Sequence, residues 1–94
     1  MGDDKTERWV PKRVSAADVG LGAVLRRVRE RAGETIGQAA EASRISKAVL
    51  SRTERGERSA RVIELLPIAA AHAMTAAELT AAIAADPTVH AAAM

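Results

Sequence analysis

Apolar residues recur with the spacing of an α-helix along much of the chain, and the clearest stripe lies in its first third. That stripe follows the i, i+3, i+4, i+7 pattern of one helix face and consists of Leu21, Val24, Leu25 and Val28. Ser15 followed three residues later by Asp18 is a capping sequence for a helix start. Gly33 supplies a stop because glycine readily takes positive φ. The pattern predicts a first helix from Ala16 to Ala32.

Two more helix starts follow, eleven residues apart. Thr35 precedes Gln38 by three residues, as in a capping box, so a second helix should begin near Ile36. Ser46 can cap a third helix, and Gly56 can end it. One apolar seam runs through both helices and consists of Ala39, Ala40, Ile45, Val49 and Leu50. Two short helices joined by so tight a turn must cross, which projects the second one outward in a helix-turn-helix that can enter a DNA major groove.

A fourth helix is predicted from a stripe that comprises Val62, Leu65, Leu66, Ala69 and His72. Pro67 lies inside the stripe and cannot donate to the carbonyl of Ile63, so this helix should be kinked or start late. His72 falls on the apolar side and is expected to be packed or interfacial. Metal binding is not expected, because neither His72 nor His90 has a partner at ligand spacing.

A fifth helix is predicted from Ala76 to Ala85. Thr75 and Glu78 form its capping sequence, and the pair Asp86-Pro87 should end it. Its inward positions are Leu79 and Ile83. The last seven residues, TVHAAAM, are too few to hold a helix alone. We expect that tail to fray or to borrow the surface of a partner.

Composition favours an all-α fold, since nearly half of the apolar residues are alanine, the strongest helix former. The chain has a single aromatic residue, Trp9. We predict a compact five-helix bundle containing the helix-turn-helix, with the DNA-binding domain at 15–86. A flexible arm at 1–14, in which Trp9 is expected to pack on the domain or a partner, and a tail at 87–94 flank it.

The charge distribution and the lack of cysteine limit which ligands and which cellular location the protein can have. The net charge is only +2, but residues 21–58 carry nine basic and five acidic side chains, which concentrates the positive field in the helix-turn-helix third. A basic patch favours a polyanion and predicts strong salt dependence of binding. The chain contains no cysteine and no apolar run of membrane-spanning length. We therefore expect a cytoplasmic protein, with neither disulfides nor a membrane partner.

The chain resembles the Cro/repressor, or XRE-type, helix-turn-helix regulators of phages and bacteria over about residues 21–80. The family pattern combines a leucine-glycine start, a basic first helix, G-x-T, an alanine-rich second helix, S-[RK]-x-x-L-S-R-x-E-R-G and a final A-x-E-L. The matching positions are Leu21, Gly22, Arg29, Gly33, Thr35, Ala40, Glu41, Ser46, Lys47, Leu50, Ser51, Arg52, Glu54, Arg55, Gly56, Leu65, Leu66, Ala69, Glu78 and Leu79. The resemblance implies a lambda repressor-like DNA-binding domain.

The resemblance also implies roles for individual residues. Base-reading positions on the third helix are Lys47, Ala48, Ser51 and Arg52. Of these, Arg52 can pair with two acceptors of guanine. Phosphate contacts are expected from the start of the second helix and from arginines that flank the third, namely Thr35, Gln38, Arg44, Arg55 and Arg58. Arg29 and Glu54 resemble the structural ion pair that joins the first and third helices in the family.

Four positions depart from the family pattern. Arg44 stands where the turn usually has glycine, and Ala73 replaces the glycine that usually follows the fourth helix. Thr53 stands where an aliphatic core residue is usual, and Ile36 where a phosphate-binding glutamine is common. If Arg44 takes positive φ, it should cost on the order of 1 kcal/mol. The departures leave the reading surface intact and indicate a marginally stable monomer.

Two functions remain open at this stage. The first is a sequence-specific regulator, a phage Cro-like or compact immunity repressor, that binds a two-fold operator as a homodimer through the fifth helix and the tail. The alternative is an antitoxin or protein-interaction module of a toxin-antitoxin pair. An enzyme is not expected, because no nucleophile elbow, phosphate-binding glycine loop or carboxylate pair is present. No cofactor is predicted.

Overall fold

The computed structural model describes residues 15–93, and this part of the chain is all-α, as predicted. Its six helices are α1 (Ala16–Arg31), α2 (Ile36–Ser43), α3 (Lys47–Glu54), α4 (Val62–Ala71), α5 (Ala76–Ala85) and α6 (Pro87–Ala93). The first five correspond to the five predicted helices, of which α4 differs from its prediction, and α6 is additional. The predicted arm at 1–14, with Trp9, lies outside the described residues.

The helix starts form where the sequence placed them, because each is specified within one turn of chain. The side chains of Ser15, Thr35 and Thr75 each accept a hydrogen bond from the backbone amide three residues on, and the side-chain oxygen at that position accepts one from the backbone amide of the cap residue. Ser46 caps α3 by accepting from the amide of Val49 at 3.1 Å. The predicted stops are also confirmed, with positive φ at Gly33 and Gly56.

Helix α1 lies at the centre of the bundle and packs against α3, α5 and α6, while α2 packs against α3 and α4. The buried apolar core is small and aliphatic, and consists of Val24, Leu25, Ala39, Ala40, Leu50, Ile68, Ala69, Leu79 and Ile83. At Gly22 the backbones of α1 and α3 approach so closely that a Cβ atom would stand 2.6 Å from the carbonyl oxygen of Glu54. Glycine there lets the third helix dock on the first.

Helix α4 differs from its prediction in start and in orientation. It begins at Val62 and continues through Pro67, so of the two predicted outcomes, a kink at Pro67 or a late start, the late start is wrong. The predicted inward stripe is also partly wrong, because Val62 is 80% exposed and Leu66 is 54% exposed, whereas Ile68 is 3% exposed. Apolar residues occupy both faces of α4, so periodicity alone did not fix which face meets the core.

The chain after α5 is helical, contrary to the expected frayed tail. Asp86 ends α5 in an extended conformation, as predicted, and then caps α6 by accepting from the amides of Thr88 and Val89 at 2.9 and 3.2 Å. Helix α6 packs on α1 of the same chain, and Val89 packs against the core. Aspartate followed by proline is a helix-start sequence as well as a stop, and this signal could have found α6.

Within residues 15–93, no single helix combines the length and the apolar character needed to cross a membrane. Helices α4 and α5 taken together are long and apolar enough by length and composition alone, but the pair is bent by 108°.

Candidate nucleic-acid interface

The turn between α2 and α3 is closed by a residue in the left-handed region. Arg44 has φ 60° and ψ 29°, the conformation that glycine adopts at the lowest cost. The amide of Ile45 then donates to the carbonyl of Ala40 at 3.2 Å, which closes the end of α2. Arg44 therefore occupies a strained position, and its side chain is exposed on the turn.

The inner face of α3 holds the helix on the bundle. Leu50 and Thr53 are each 3% exposed. The hydroxyl of Thr53 donates to the carbonyl of Val49 at 2.8 Å, so this polar residue is buried without an unpaired hydrogen-bond donor. Thr53 thus fills the position where the family has an aliphatic residue.

The outer face of α3 carries the four predicted base-reading residues, which we call the recognition face. Lys47, Ala48 and Arg52 are exposed, and Ser51 is half-buried. The hydroxyl of Ser51 accepts from Nη1 of Arg55 at 2.5 Å. The structure therefore leaves three of the four side chains exposed, while the fourth is hydrogen-bonded to Arg55, the residue that follows α3.

The cations around α3 differ in whether a carboxylate compensates them. Arg44, Lys47 and Arg52 make no ion pair with any residue between 15 and 93. Five other arginines of residues 21–58 do, in the pairs Arg26–Glu30, Arg27–Asp86, Arg29–Glu54, Arg55–Glu57 and Arg58–Glu64. The remaining one, Arg31, lies at the end of α1, outside the helix-turn-helix, and makes no ion pair within residues 15–93. The uncompensated charge of the helix-turn-helix is thus concentrated on the turn and on the recognition face.

Helix α3 is fastened to α1 by Arg29 and Glu54. Nε and Nη2 of Arg29 donate to Oε2 and Oε1 of Glu54 at 2.9 and 3.0 Å, the two-point geometry that suits a guanidinium and a carboxylate. The hydrogen bond to Glu54 raises the pKa of Arg29 above its ordinary value. Nη1 of Arg29 also donates to the carbonyl of Glu34 at 2.8 Å. One arginine therefore ties together α1, α3 and the loop before α2.

The start of α2 presents polar groups beside the recognition helix. Thr35 Oγ1 accepts from the amide of Gln38 at 3.1 Å, and Gln38 Oε1 accepts from the amide of Thr35 at 2.8 Å. The threonine hydroxyl and the glutamine NH₂ group retain donors that this capping box does not use. Both side chains are exposed, at the positive end of the α2 dipole where anions are favoured.

Arg55 and Arg58, both predicted phosphate contacts, lie in different environments. Arg55 is exposed and pairs with exposed Glu57 at 2.8 Å, and its guanidinium holds the pKa of Glu57 below the ordinary value. Arg58 is only 21% exposed and donates to Thr53 Oγ1 at 2.7 Å and to Glu64 Oε1 at 3.0 Å. Arg55 thus stays on the surface, while Arg58 fastens the loop between α3 and α4.

The hydrogen-bond network around Glu64 was not predicted from the sequence. This residue accepts from Arg58 and also from the amide of Arg61 at 2.8 Å. Burial raises the pKa of Glu64, but the hydrogen bonds from Arg58 and from the Arg61 amide outweigh it, so the pKa lies below its ordinary value. The available signal was the spacing of Arg61 and Glu64, which matches that of a helix cap and its N3 residue.

These features define a helix-turn-helix DNA-binding fold. The second helix of the motif, α3, is held by its buried face and by an ion pair to α1. Its outer face carries exposed basic side chains that make no ion pair in the described part of the chain, and the N-terminus of α2 lies beside it. This is the arrangement with which such motifs place a recognition helix in the major groove.

Known proteins similar to this chain have the same helix-turn-helix fold. A family model described as a helix-turn-helix domain matches residues 20–82. A crystal structure of the clp gene regulator ClgR from Corynebacterium glutamicum is similar with a TM-score of 0.66 and 34% identity, over 72% of this chain and 88% of that one. A second ClgR structure has a TM-score of 0.71 and 31% identity, over 85% of each chain. No curated protein matches.

The chain belongs to the Cro/repressor, or XRE-type, helix-turn-helix family of DNA-binding transcription regulators.

Proposed function

We propose that this protein is a sequence-specific transcriptional regulator that binds a two-fold operator in double-stranded DNA as a homodimer, as a compact phage Cro-like or immunity repressor does. The observation that carries the proposal is the distribution of free charge. Arg44, Lys47 and Arg52 are exposed and unpaired among the described residues, on the turn and outer face of the element that the fold presents to DNA. Repression follows where the bound dimer excludes polymerase from a promoter.

The recognition face supplies the base contacts in this proposal. Arg52 donates to two guanine acceptors, Lys47 donates to a second base, and the Ala48 methyl contacts a thymine methyl. Ser51 serves as a weaker reader because its hydroxyl already accepts from Arg55.

Phosphate contacts position the domain without reading sequence. Thr35 and Gln38 donate from the start of α2, and Arg44 and Arg55 donate from the two ends of α3. Arg58 was predicted to join this set, but it is engaged with Thr53 and Glu64. We assign it instead to holding the loop that orients α3.

The homodimer in this proposal uses α4. Its exposed large apolar residues are Val62, Ile63 and Leu66, and α4 begins soon after the recognition helix ends. A two-fold axis joins the same patch of both copies, and a patch close to α3 keeps the two recognition helices on one side of the dimer. Helix α5 and the tail were the interface predicted from sequence, but α6 packs on α1 of its own chain.

Base reading is tested with Arg52→Ala. Sites selected from genomic DNA would be titrated by fluorescence anisotropy against scrambled DNA. We expect the variant to lose about 1–3 kcal/mol on the selected site and to discriminate less at one base pair. The control Arg61→Ala removes an equally exposed arginine outside the helix-turn-helix and should bind as the parent does. Equal weakening on all sequences would make Arg52 a phosphate contact, and unchanged binding would remove it from the interface.

The phosphate role of Arg44 has a separate readout. Arg44→Ala should weaken binding to every sequence alike and lower the slope of log K against log salt by about 1. A change in sequence preference without a change in slope would contradict that role.

A protein-interaction module, such as an antitoxin, is the second candidate, and the exposed apolar residues of α4 are the observation that favours it. Co-expression with neighbouring genes followed by purification distinguishes the two. A small partner bound in place of a second copy, and released by Leu66→Glu, would support the second candidate.

A further inference from the structure

A pocket lies away from the proposed DNA-binding surface. It has a volume of about 250 Å³ and is formed by the end of α1, the turn after α4 and one residue of α5. Its lining consists of Val28, Arg31, Ala32, His72, Met74 and Ala82. None of these residues belongs to α2 or α3, so the pocket has no part in the DNA contacts proposed above.

The polar group inside this pocket is buried and incompletely partnered. The side chain of His72 is 4% exposed, and its Nδ1 atom lies 3.1 Å from Oε1 of Glu34. The pair has ion-pair distance but not hydrogen-bond geometry, so both atoms are buried without a hydrogen bond to any residue that the structure describes. Buried polar atoms in native proteins almost always have a hydrogen-bond partner, which makes this pair a feature that structural packing alone does not explain.

The pocket also has a free cation. Arg31 is exposed at the end of α1, and it makes no ion pair within residues 15–93. The other lining side chains are apolar, namely Val28, Ala32, Met74 and Ala82. An apolar pocket with a free guanidinium and one buried imidazole fits an amphipathic anion rather than a metal ion or a sugar.

We propose that this pocket binds a small organic carboxylate with an apolar body. The apolar part lies against Val28, Met74 and Ala82, where its burial drives binding. The carboxylate accepts charge-assisted hydrogen bonds from the exposed Arg31, and the apolar body also contacts the ring of His72, whose Nδ1 atom faces Glu34. The volume is below the range of about 300–1,000 Å³ typical of drug-sized ligands, so the ligand is smaller than those, of the size of benzoate or hexanoate.

Glu34 connects this pocket with the helix-turn-helix. Its carboxylate faces His72, its carbonyl accepts from Arg29 at 2.8 Å, and Arg29 in turn holds Glu54 of α3. Glu34 also directly precedes Thr35, the cap of α2. A ligand that engages His72 therefore acts on the residue that positions both helices of the motif, and changes DNA affinity. This consequence rests on the proposed function, whereas ligand binding itself does not.

Ligand binding is tested by titrating the protein, without DNA, with benzoate and with hexanoate while amide NMR shifts are followed. We expect saturable shifts confined to the amides of the six lining residues and Glu34, and at least tenfold weaker binding of benzamide and hexanamide, which lack the charge. Arg31→Gln and the pocket-filling Ala82→Leu should each weaken carboxylate binding at least tenfold. The control Arg26→Gln removes an exposed arginine of the same helix outside the pocket and should leave it unchanged.

Several outcomes would overturn the site. Shifts spread over the whole basic surface, or equal losses in Arg26→Gln and Arg31→Gln, would reduce the effect to general charge attraction. Binding that survives Ala82→Leu would place the ligand elsewhere. If Ala82→Leu fails to fold, as judged by circular dichroism, the exposed Arg31→Gln variant still decides. Operator affinity would be measured with and without benzoate. If benzoate binds the pocket and the protein binds its operator, but the operator affinity is the same in both cases, the coupling through Glu34 is overturned.

Discussion

Arg29 of α1 and Glu54 in the last turn of α3 form a two-point ion pair whose side chains are only 14% and 6% exposed. Removing one partner leaves the other charge buried and uncompensated, which is far more costly than removing both. We expect Glu54→Gln to lower the free energy of unfolding by about 3 kcal/mol, measured by urea denaturation with circular dichroism. The double variant Arg29→Met/Glu54→Leu should recover most of that loss. A double variant as unstable as the single one would contradict this account.

Two non-glycine residues between 15 and 93, Arg44 and Ala73, have positive φ, at 60° and 56°. The left-handed region costs them roughly 1–2 kcal/mol, while glycine loses about 0.5–1 kcal/mol of chain entropy. Arg44→Gly and Ala73→Gly should therefore each raise the free energy of unfolding by about 0.5–1 kcal/mol. Arg44→Gly should also weaken DNA binding, and Ala73→Gly should not. Ala81→Gly, within α5, is the control and should destabilise by about 1 kcal/mol. Loss of stability in both test variants would refute the argument.

The ionisation of Asp86 makes the stability of α6 depend on pH. Hydrogen bonds from the Val89 amide and from Arg27 hold the pKa of Asp86 below its ordinary value. A carboxylate with a lowered pKa stabilises the fold above its unfolded pKa, and that stabilisation is lost as pH falls through the folded pKa. Hydrogen exchange should therefore show α6 amides losing protection below about pH 4, relative to those of α2. Asp86→Asn keeps a capping side chain but cannot ionise, so its α6 protection should not change over this range. The same acid sensitivity in Asp86→Asn would exclude Asp86 as the cause.

Gly22 and Gly37 offer a matched pair of substitutions within helices. A Cβ atom at Gly22 would stand 2.6 Å from the Glu54 carbonyl oxygen, whereas one at Gly37 would meet only Thr35 Oγ1, at 3.9 Å. Gly22→Ala must push α3 away from α1 and should cost about 3 kcal/mol. Gly37→Ala has room and should stabilise by up to about 1 kcal/mol. Thermal denaturation compares them, and equal melting temperatures would show that α1 and α3 separate freely.

The proposed dimer gives a prediction for Leu66, which is 54% exposed on α4. Leu66→Glu places charge in the interface and should yield a monomer in sedimentation experiments. It should weaken binding to the two-fold operator at least tenfold, while a half-site is bound as before. Ala81→Glu puts the same charge on the exposed side of α5 and should leave the dimer intact. Dissociation by Ala81→Glu instead would move the interface to α5, as first expected from the sequence.

The parts of this fold that could be predicted are those specified by residues a few positions apart in the sequence. The caps at Ser15, Thr35 and Thr75 are specified by residues three positions apart, so they do not depend on which tertiary contacts form. The recognition face could be placed for the same reason, because Lys47 and Arg52 are fixed relative to the Ser46 cap by helix geometry alone.

Other predictions depended on which surfaces meet. Val62 and Leu66 belong to a helix with apolar residues on both sides, so their exposure followed from the packing of Ile68. Arg58 is basic and flanks α3, yet whether it faces DNA or Glu64 depends on the path of the loop between α3 and α4. His72 was expected to be packed or interfacial, but its contact with Glu34 joins residues far apart in the chain.

The sequence by itself determined where α1, α3 and α5 begin and end, where α2 begins, which motif α2 and α3 form and which side chains line the outer side of α3, because each depends on contacts within a few residues. Tertiary structure alone decided that α6 packs against α1, which arginines make no ion pair with the described residues and which apolar residues of α4 stay exposed. Burial and ion pairing depend on which residues, distant in the sequence, lie beside a given side chain in the folded protein. The spacing of residues along the chain does not contain that information.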